Sequence, residues 1–293
     1  MRFTEEHKAL FKTVQEFVEN EIRPYADEWE EAGIFPAHDL FKKMGDLDLL
    51  GITKDTQYGG MGLDYSYGMV FAEALGHAGD SGAITGIGVQ TDMATPALDR
   101  YGTDELKKEF LVPAISGDYV SAIAVSEASG GSDVAAIKTT AKKDGDDYII
   151  NGQKVWTSRA EHSDLMLLLA RTTHRDKVEK RTDGLSVFIV DMRNANGNGL
   201  TIRPIRTMIN HATTEVFFDN LRVPQENLIG EEGKGFRYII DGMNAERILI
   251  ASECIGDSRW FIEKATAYAN ERIVFDRPIG KNQGIQFPLA QAY

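Results

Sequence analysis

The chain has 293 residues, 42% hydrophobic and 26% charged, which is a globular composition and excludes wholesale disorder. Its 32 Lys and Arg stand against 45 Asp and Glu, a formal net charge of −13, and this excludes nucleic acid and anionic membrane as general partners, since both recruit the opposite sign. One cysteine, Cys254, allows no intrachain disulfide and no Cys-rich zinc site, and it suits a reducing cytoplasm.

The opening MRFTEEHKALF carries acids where a targeting peptide avoids them. From there to residue 118 the spacing predicts an α-helical domain. Thr4 stands as an N-cap before Leu10, Phe11, Val14, Phe17 and Val18 at helical intervals. Further helical segments run from Pro36 to Leu50 and follow Leu63, Ser81 and Thr103, with YGGMG and ATPALDRYG at the joins. Residues 119–230 switch to a period of two, which predicts a β-barrel or sandwich domain. DDYIINGQKVW reads as a hairpin with Asn151-Gly152 as its turn. DLMLLLART, GLSVFIVDM, LTIRPIR and TEVFFDNLRVP read as further strands. The densest apolar run, Leu165–Ala170, is too short to cross a bilayer, so no membrane insertion is expected. Residues 231–293 return to the helical period, with one long segment from Phe236 to about Tyr268 and another from Gln283. The pattern stops at PLAQAY without a C-cap signal, as the start of an incomplete C-terminal helical bundle would. The expected fold class is therefore α+β and multidomain, in the order α, β, α.

Between the helical and β regions lies AVSEASGGSDVAA, Ala124–Ala136, with more small residues than a turn requires. Gly130 and Gly131 lack a Cβ and let a ligand approach backbone N–H groups, and Ser126 and Ser132 offer hydroxyls that donate and accept. An isolated Gly-Gly-Ser-Asp is more often only a turn. A lone tryptophan such as Trp156 is more often core.

Taken together, AVSEASGGSDVAA, DDYIINGQKVWTS, VFFDNLRVPQENLIGEEGKGF and ERIVFDRPIGKNQGIQF resemble, in order and at collinear spacing, the acyl-CoA dehydrogenase flavoproteins. The resemblance implies FAD and α,β-dehydrogenation of an acyl-CoA. It also implies electron transfer to an electron-transfer flavoprotein and a homodimer or homotetramer. It places Ser126 on the flavin pyrimidine edge, Ser132 near pyrophosphate and substrate, Trp156 stacked on the ring and Ser158 near the reactive N5. Ala124, Val125, Gly131 and Thr157 fall in the same cofactor stretches. Arg272, Phe275 and Gln283 match positions that contact the FAD of a neighbouring subunit. Asp276 departs from the pattern, which has glycine there.

Dehydrogenation also needs a base for the α-proton. In family members similar to the long-chain and isovaleryl enzymes it is a glutamate just before an arginine, and MNAERILIA places Glu246 and Arg247 there. Independently of the resemblance, Glu246 interrupts an apolar stripe of Ile239, Met243 and Ile250, where partial desolvation raises a carboxyl pKa. A solvated helical glutamate is the plainer alternative. By the resemblance Arg247 orders the base and Asn244 touches the thioester arm. The locally basic ARTTHRDKVEKR suits coenzyme A phosphates or is simply a solvated loop. Three alternatives share these residues: an acyl-CoA oxidase, a flavin monooxygenase of the same fold, or a cofactor-free scaffold fragment.

Overall fold

A computed structural model describes residues 3–209 and 212–293. Met1 and Arg2 of the opening stretch, with Asn210 and His211, lie outside them. Helices come first: α1 (Glu5–Phe17), α2 (Ala26–Ala32), α3 (Ala37–Gly45), α4 (Tyr65–Leu75) and α5 (Ser81–Gly88), then the shorter α6 (Pro96–Tyr101), α7 (Asp104–Leu106) and α8 (Val112–Ile115). Local chemistry sets several starts. Asp64 accepts from Ser66 N at α4, Asp80 from Ala83 N at α5, and Thr103 from Leu106 N at α7, each satisfying an otherwise orphaned donor. Val14, Phe17, Phe41, Phe71, Leu75 and Ile84 from this layer share one buried cluster.

Next come β1 (Ser121–Ala124), β2 (Thr140–Asp144), β3 (Asp147–Ser158), β4 (Leu165–Arg171), β5 (Leu185–Asp191), β6 (Leu200–Pro204), β7 (Thr213–Pro224) and β8 (Leu228–Ile229). They form one eight-stranded sheet in the order β6-β7-β3-β2-β4-β5-β8, with β1 parallel beside β4. The uninterrupted apolar run of β4 follows from burial of both its faces. Leu165, Leu167 and Leu169 pack with Phe110 and Leu111 of the helical layer, while Met166, Leu168 and Ala170 pack with Ile150, Phe188 and Val216 on the far side.

One expectation is corrected. Asn151-Gly152 is not a hairpin turn but lies inside β3, where the pairing with β7 shifts register between Ile150 and Gly152. The turn is made by Gly145-Asp146, which joins the Asp144–Asp147 pair and has φ of 63° at Gly145. Asn151 instead bonds across the irregularity. Its Oδ1 accepts from Asn220 N at 2.9 Å and its Nδ2 donates to Asn220 Oδ1 at 3.2 Å. Gly152 is needed because a Cβ there would lie 2.5 Å from Thr139 Oγ1.

α9 (Gly235–Glu271) is a single 37-residue helix that runs back across the sheet and the helical layer. Its close passage over α4 depends on small residues: a Cβ on Gly256 would lie 2.1 Å from Glu73 O. Past its end, β9 (Ile273–Val274) and β10 (Arg277–Pro278) form a small hairpin, and α10 (Gln283–Ala292) follows. Among the described residues no helix is long and apolar enough to cross a membrane.

Candidate active site

The layers meet at a cleft with a cavity of about 270 Å³. β1 and the residues after it contribute Ile123, Val125 and Ser126, and the small-residue loop contributes Gly131 and Val134. β3 contributes Val155, Trp156 and Ser158. Thr85 of α5, with Val89 and Met93 from the π-helical turn after it, makes the helical wall. α9 closes the cleft with Tyr238, Ile239, Gly242, Met243 and Glu246.

Trp156 owes its direction to a second irregularity in β3. Pairing with β7 shifts between Val155 and Thr157, and Trp156 takes a left-handed φ of 63°. Its flanking residues stay in the ladder while the indole stands 61% exposed in the cleft. An exposed indole lining a concave site is a natural stacking platform. In the small-residue loop, the glycine is not demanded by protein packing: a Cβ on Gly131 would have nothing closer than Ser126 Oγ at 3.7 Å. The open space therefore belongs to the cleft. Gly130 and Glu127 exchange backbone hydrogen bonds at 3.0 and 3.1 Å, closing the loop on itself and leaving its tip exposed.

Glu246 faces this space from the helix. Desolvation pushes its carboxyl pKa above the ordinary glutamate range, and the Arg247 guanidinium offsets part of that. The apolar stripe around it is asymmetric, with Ile239 buried, Met243 in the cleft wall and Ile250 exposed.

Of the residues singled out from sequence, Val125, Ser126, Gly131, Trp156, Ser158 and Glu246 line the cleft together. Ala124 and Thr157 are buried immediately beside those that do, and Ser132 is exposed on the loop tip next to Gly131. Asn244 and Arg247 are exposed on α9 and bond each other, Arg247 Nη1 donating to Asn244 Oδ1 at 3.0 Å. Arg272, Phe275 and Gln283 are exposed near the β9–β10 hairpin and do not line this cleft. Arg175, Lys177 and Lys180 are also exposed. Their segment is tied to the loop tip by Arg181, which pairs with Asp133.

Sequence reasoning missed the helical wall. Its available signal was the glycine content of SGAITGIG, unfavourable in a helix unless backbones must approach closely. Gly86 and Gly88 do face Arg159 and Leu249 at contact distance. Also missed was a buried ion pair beneath the loop, Lys154 Nζ to Glu127 Oε1 at 3.1 Å. Its signal was a lysine on an otherwise inward position of β3. No group of three His, Cys, Asp or Glu among the described residues is placed to hold a metal.

Comparison with known proteins gives a consistent picture. The N-terminal, middle and C-terminal domain models described as acyl-CoA dehydrogenase match residues 4–118, 122–221 and 233–293. An acyl-CoA dehydrogenase of Bacillus subtilis is 35% identical over 99% of this chain and 75% of its own length. A 3-(aryl)acrylate reductase of Clostridium sporogenes is 34% identical with the same two coverages. The crystal structure of an acyl-CoA dehydrogenase from Geobacillus kaustophilus superposes with a TM-score of 0.90 at 34% identity, over 99% of this chain and 75% of that one.

Proposed function

The chain belongs to the acyl-CoA dehydrogenase family, FAD-dependent oxidoreductases that act on acyl-CoA thioesters, and from that premise we propose that its cleft oxidises an acyl-CoA to the trans-2-enoyl-CoA with Glu246 as the base. The observation that carries this reading is one of position. The desolvated carboxyl of Glu246 and the exposed indole of Trp156 come from different layers and line the same cavity.

The residues present fit the cofactor. The loop offers backbone N–H groups at its tip and the Ser126 and Ser132 hydroxyls for the polar rim and pyrophosphate of FAD. Trp156 would pack on the ring system and Ser158 would border its reactive edge. FAD, when bound, supplies the acceptor for the hydride that leaves Cβ. Everything else falls to the chain. Tyr238, Ile239, Met243, Val89 and Met93 exclude water around the acyl group. Glu246 takes the proton from Cα, and its raised pKa brings its basicity nearer to neutrality. The Arg247–Asn244 pair fixes the outer face of the helical turn that carries it. The basic segment with Arg175, Lys177 and Lys180, held beside the loop tip by Arg181, would meet the phosphates of coenzyme A.

An electron-transfer flavoprotein is the proposed electron acceptor and the cytoplasm the proposed setting. Arg272, Phe275 and Gln283 would serve a neighbouring copy in a dimer or tetramer, consistent with their position off this cleft. A second direction is favoured by the relative named as an aryl-acrylate reductase. The same site run in reverse would have Glu246, protonated, deliver a proton to Cα of an enoyl substrate, with the hydride to Cβ supplied by FAD bound in its reduced form.

Glu246→Gln separates these roles from binding. The variant should still bind FAD, while the visible flavin band bleaches roughly 10²–10⁴-fold more slowly on anaerobic addition of acyl-CoA, the span general-base catalysis supplies. An unchanged bleaching rate would remove Glu246 from the mechanism.

A further inference from the structure

We infer that Lys154 and Glu127 are positioning residues for the cofactor, a buried ion pair that preorganises the loop between Val125 and Thr139 to receive it. The inference rests on the FAD reading of the cleft.

Lys154 is wholly buried and Glu127 nearly so. Among the described residues, the hydrogen bonds of their side chains end on the loop or its base. Lys154 Nζ donates to Val125 O at 2.8 Å and to Glu127 Oε1 at 3.1 Å. The Glu127 carboxylate also accepts from Thr139 N at 2.8 Å and from Lys138 N at 2.7 Å. The outgoing limb at Val125 and Glu127 is thereby bound to the returning limb at Lys138–Thr139. One residue beyond Lys154, Val155 N donates to Ser126 O at 3.0 Å. The same pair thus fixes Ser126 beside Val155 and Trp156, which line the cleft with it. Arg171, the charged neighbour from β4, holds the returning limb by donating to Ala135 O at 2.8 Å and Ile137 O at 3.3 Å.

The arrangement is rigid at its base and open at its tip, where Ser129, Gly131, Ser132 and Asp133 are exposed. A buried ion pair is a poor source of stability, since taking two charges out of water offsets most of their attraction. Its return here is geometric: a loop already in its binding shape loses less conformational entropy when a ligand arrives. Burial pulls the Lys154 ammonium down to about 8 even though Glu127 favours its charged form. Burial alone would raise the Glu127 carboxyl, but Lys154 and the Thr139 and Lys138 donors outweigh it and hold that group below its usual range. The pair is therefore charged at neutral pH and begins to lose the ammonium in mildly alkaline solution.

The test measures FAD binding by quenching of flavin fluorescence, alongside thermal unfolding of the FAD-free protein. Wild type is compared with Lys154→Met and with the double variant Glu127→Gln/Lys154→Met, which removes both charges. The double variant should unfold within a few degrees of wild type or above it, yet bind FAD at least tenfold more weakly. In wild type the dissociation constant should rise as pH passes about 8, and that dependence should vanish in the double variant. A dissociation constant in the double variant within twofold of wild type, at every pH, would overturn the inference. So would weaker binding that only tracks lost folding. Should the double variant not fold, Lys154→Met is read in its place, and a dissociation constant within twofold of wild type overturns the inference. A wild type that binds no FAD would overturn the reading of the cleft as well.

Discussion

Glu253 lies seven positions beyond Glu246 on α9, on the same face of the helix. Its surroundings are different. Glu253 is buried, its Oε2 has no hydrogen-bond partner among the described residues, and burial with the nearby Asp257 pushes its carboxyl up to about 7. A folded-state pKa above the unfolded one means the folded chain binds the extra proton between roughly pH 4.5 and 7. Stability from this group is therefore present in acid and is lost as pH rises through 7. Glu253→Gln should raise unfolding stability at pH 8 by on the order of 1–3 kcal/mol and give no gain at pH 4, measured by denaturant titration at both values. Residue identity alone could not separate these two glutamates. Both sit in apolar helical context, and only the docking of α9 decides that one faces a cleft and the other a helix interface.

At the scale of elements, strand and helix type followed from period, but the irregular points did not. β3 shows why: its Asn-Gly is a strong local turn signal, yet cross-strand bonding of Asn151 to Asn220 and the longer pairing with β7 outweighed it. The real turn used the less conspicuous Gly145-Asp146. The β9–β10 hairpin is the reverse case, a two-residue turn without a glycine. Phe275 and Asp276 both adopt left-handed φ, 51° and 57°, as a type I′ turn requires. Aspartate tolerates this better than most residues but still at a cost. Asp276→Gly should stabilise the protein by about 0.5–1 kcal/mol, read as a higher unfolding midpoint. A lower midpoint would show that the Asp276 side chain contributes more than its backbone strain removes.

At the scale of the whole molecule, the cleft exists because α9 crosses both the helical layer and the sheet. The crossing is close only where side chains are absent. Gly256 meets Glu73 O, and Gly76 Cα approaches within 2.9 Å of the Cβ that Gly256 lacks. Gly256→Ala pits a methyl group against backbone atoms, which cannot swing aside as a side-chain end can. Local overpacking of this kind costs roughly 1–3 kcal/mol. It should also weaken FAD binding, because the helix that carries Met243 and Glu246 must lift. Unchanged stability and unchanged affinity together would show that the crossing is more yielding than its distances indicate.

The one-dimensional pattern was enough for the order of helices, strands and helices, and for naming the small-residue loop and Glu246 as out of keeping with their surroundings, whereas Trp156 was singled out by the family resemblance alone. Those features are local: a hydrophobic period, a surplus of glycine and serine, a charge within an apolar stripe. Only the folded chain decided which side chains meet. Thr85, Val89 and Met93 form a wall because of how α5 and the turn after it lie against β1 and α9. Lys154 finds Glu127 because parallel and antiparallel pairing bring β1, β2 and β3 together. Contacts between residues far apart in sequence depend on chain direction, register and helix docking, and these are set by burial over the whole core rather than by any short stretch.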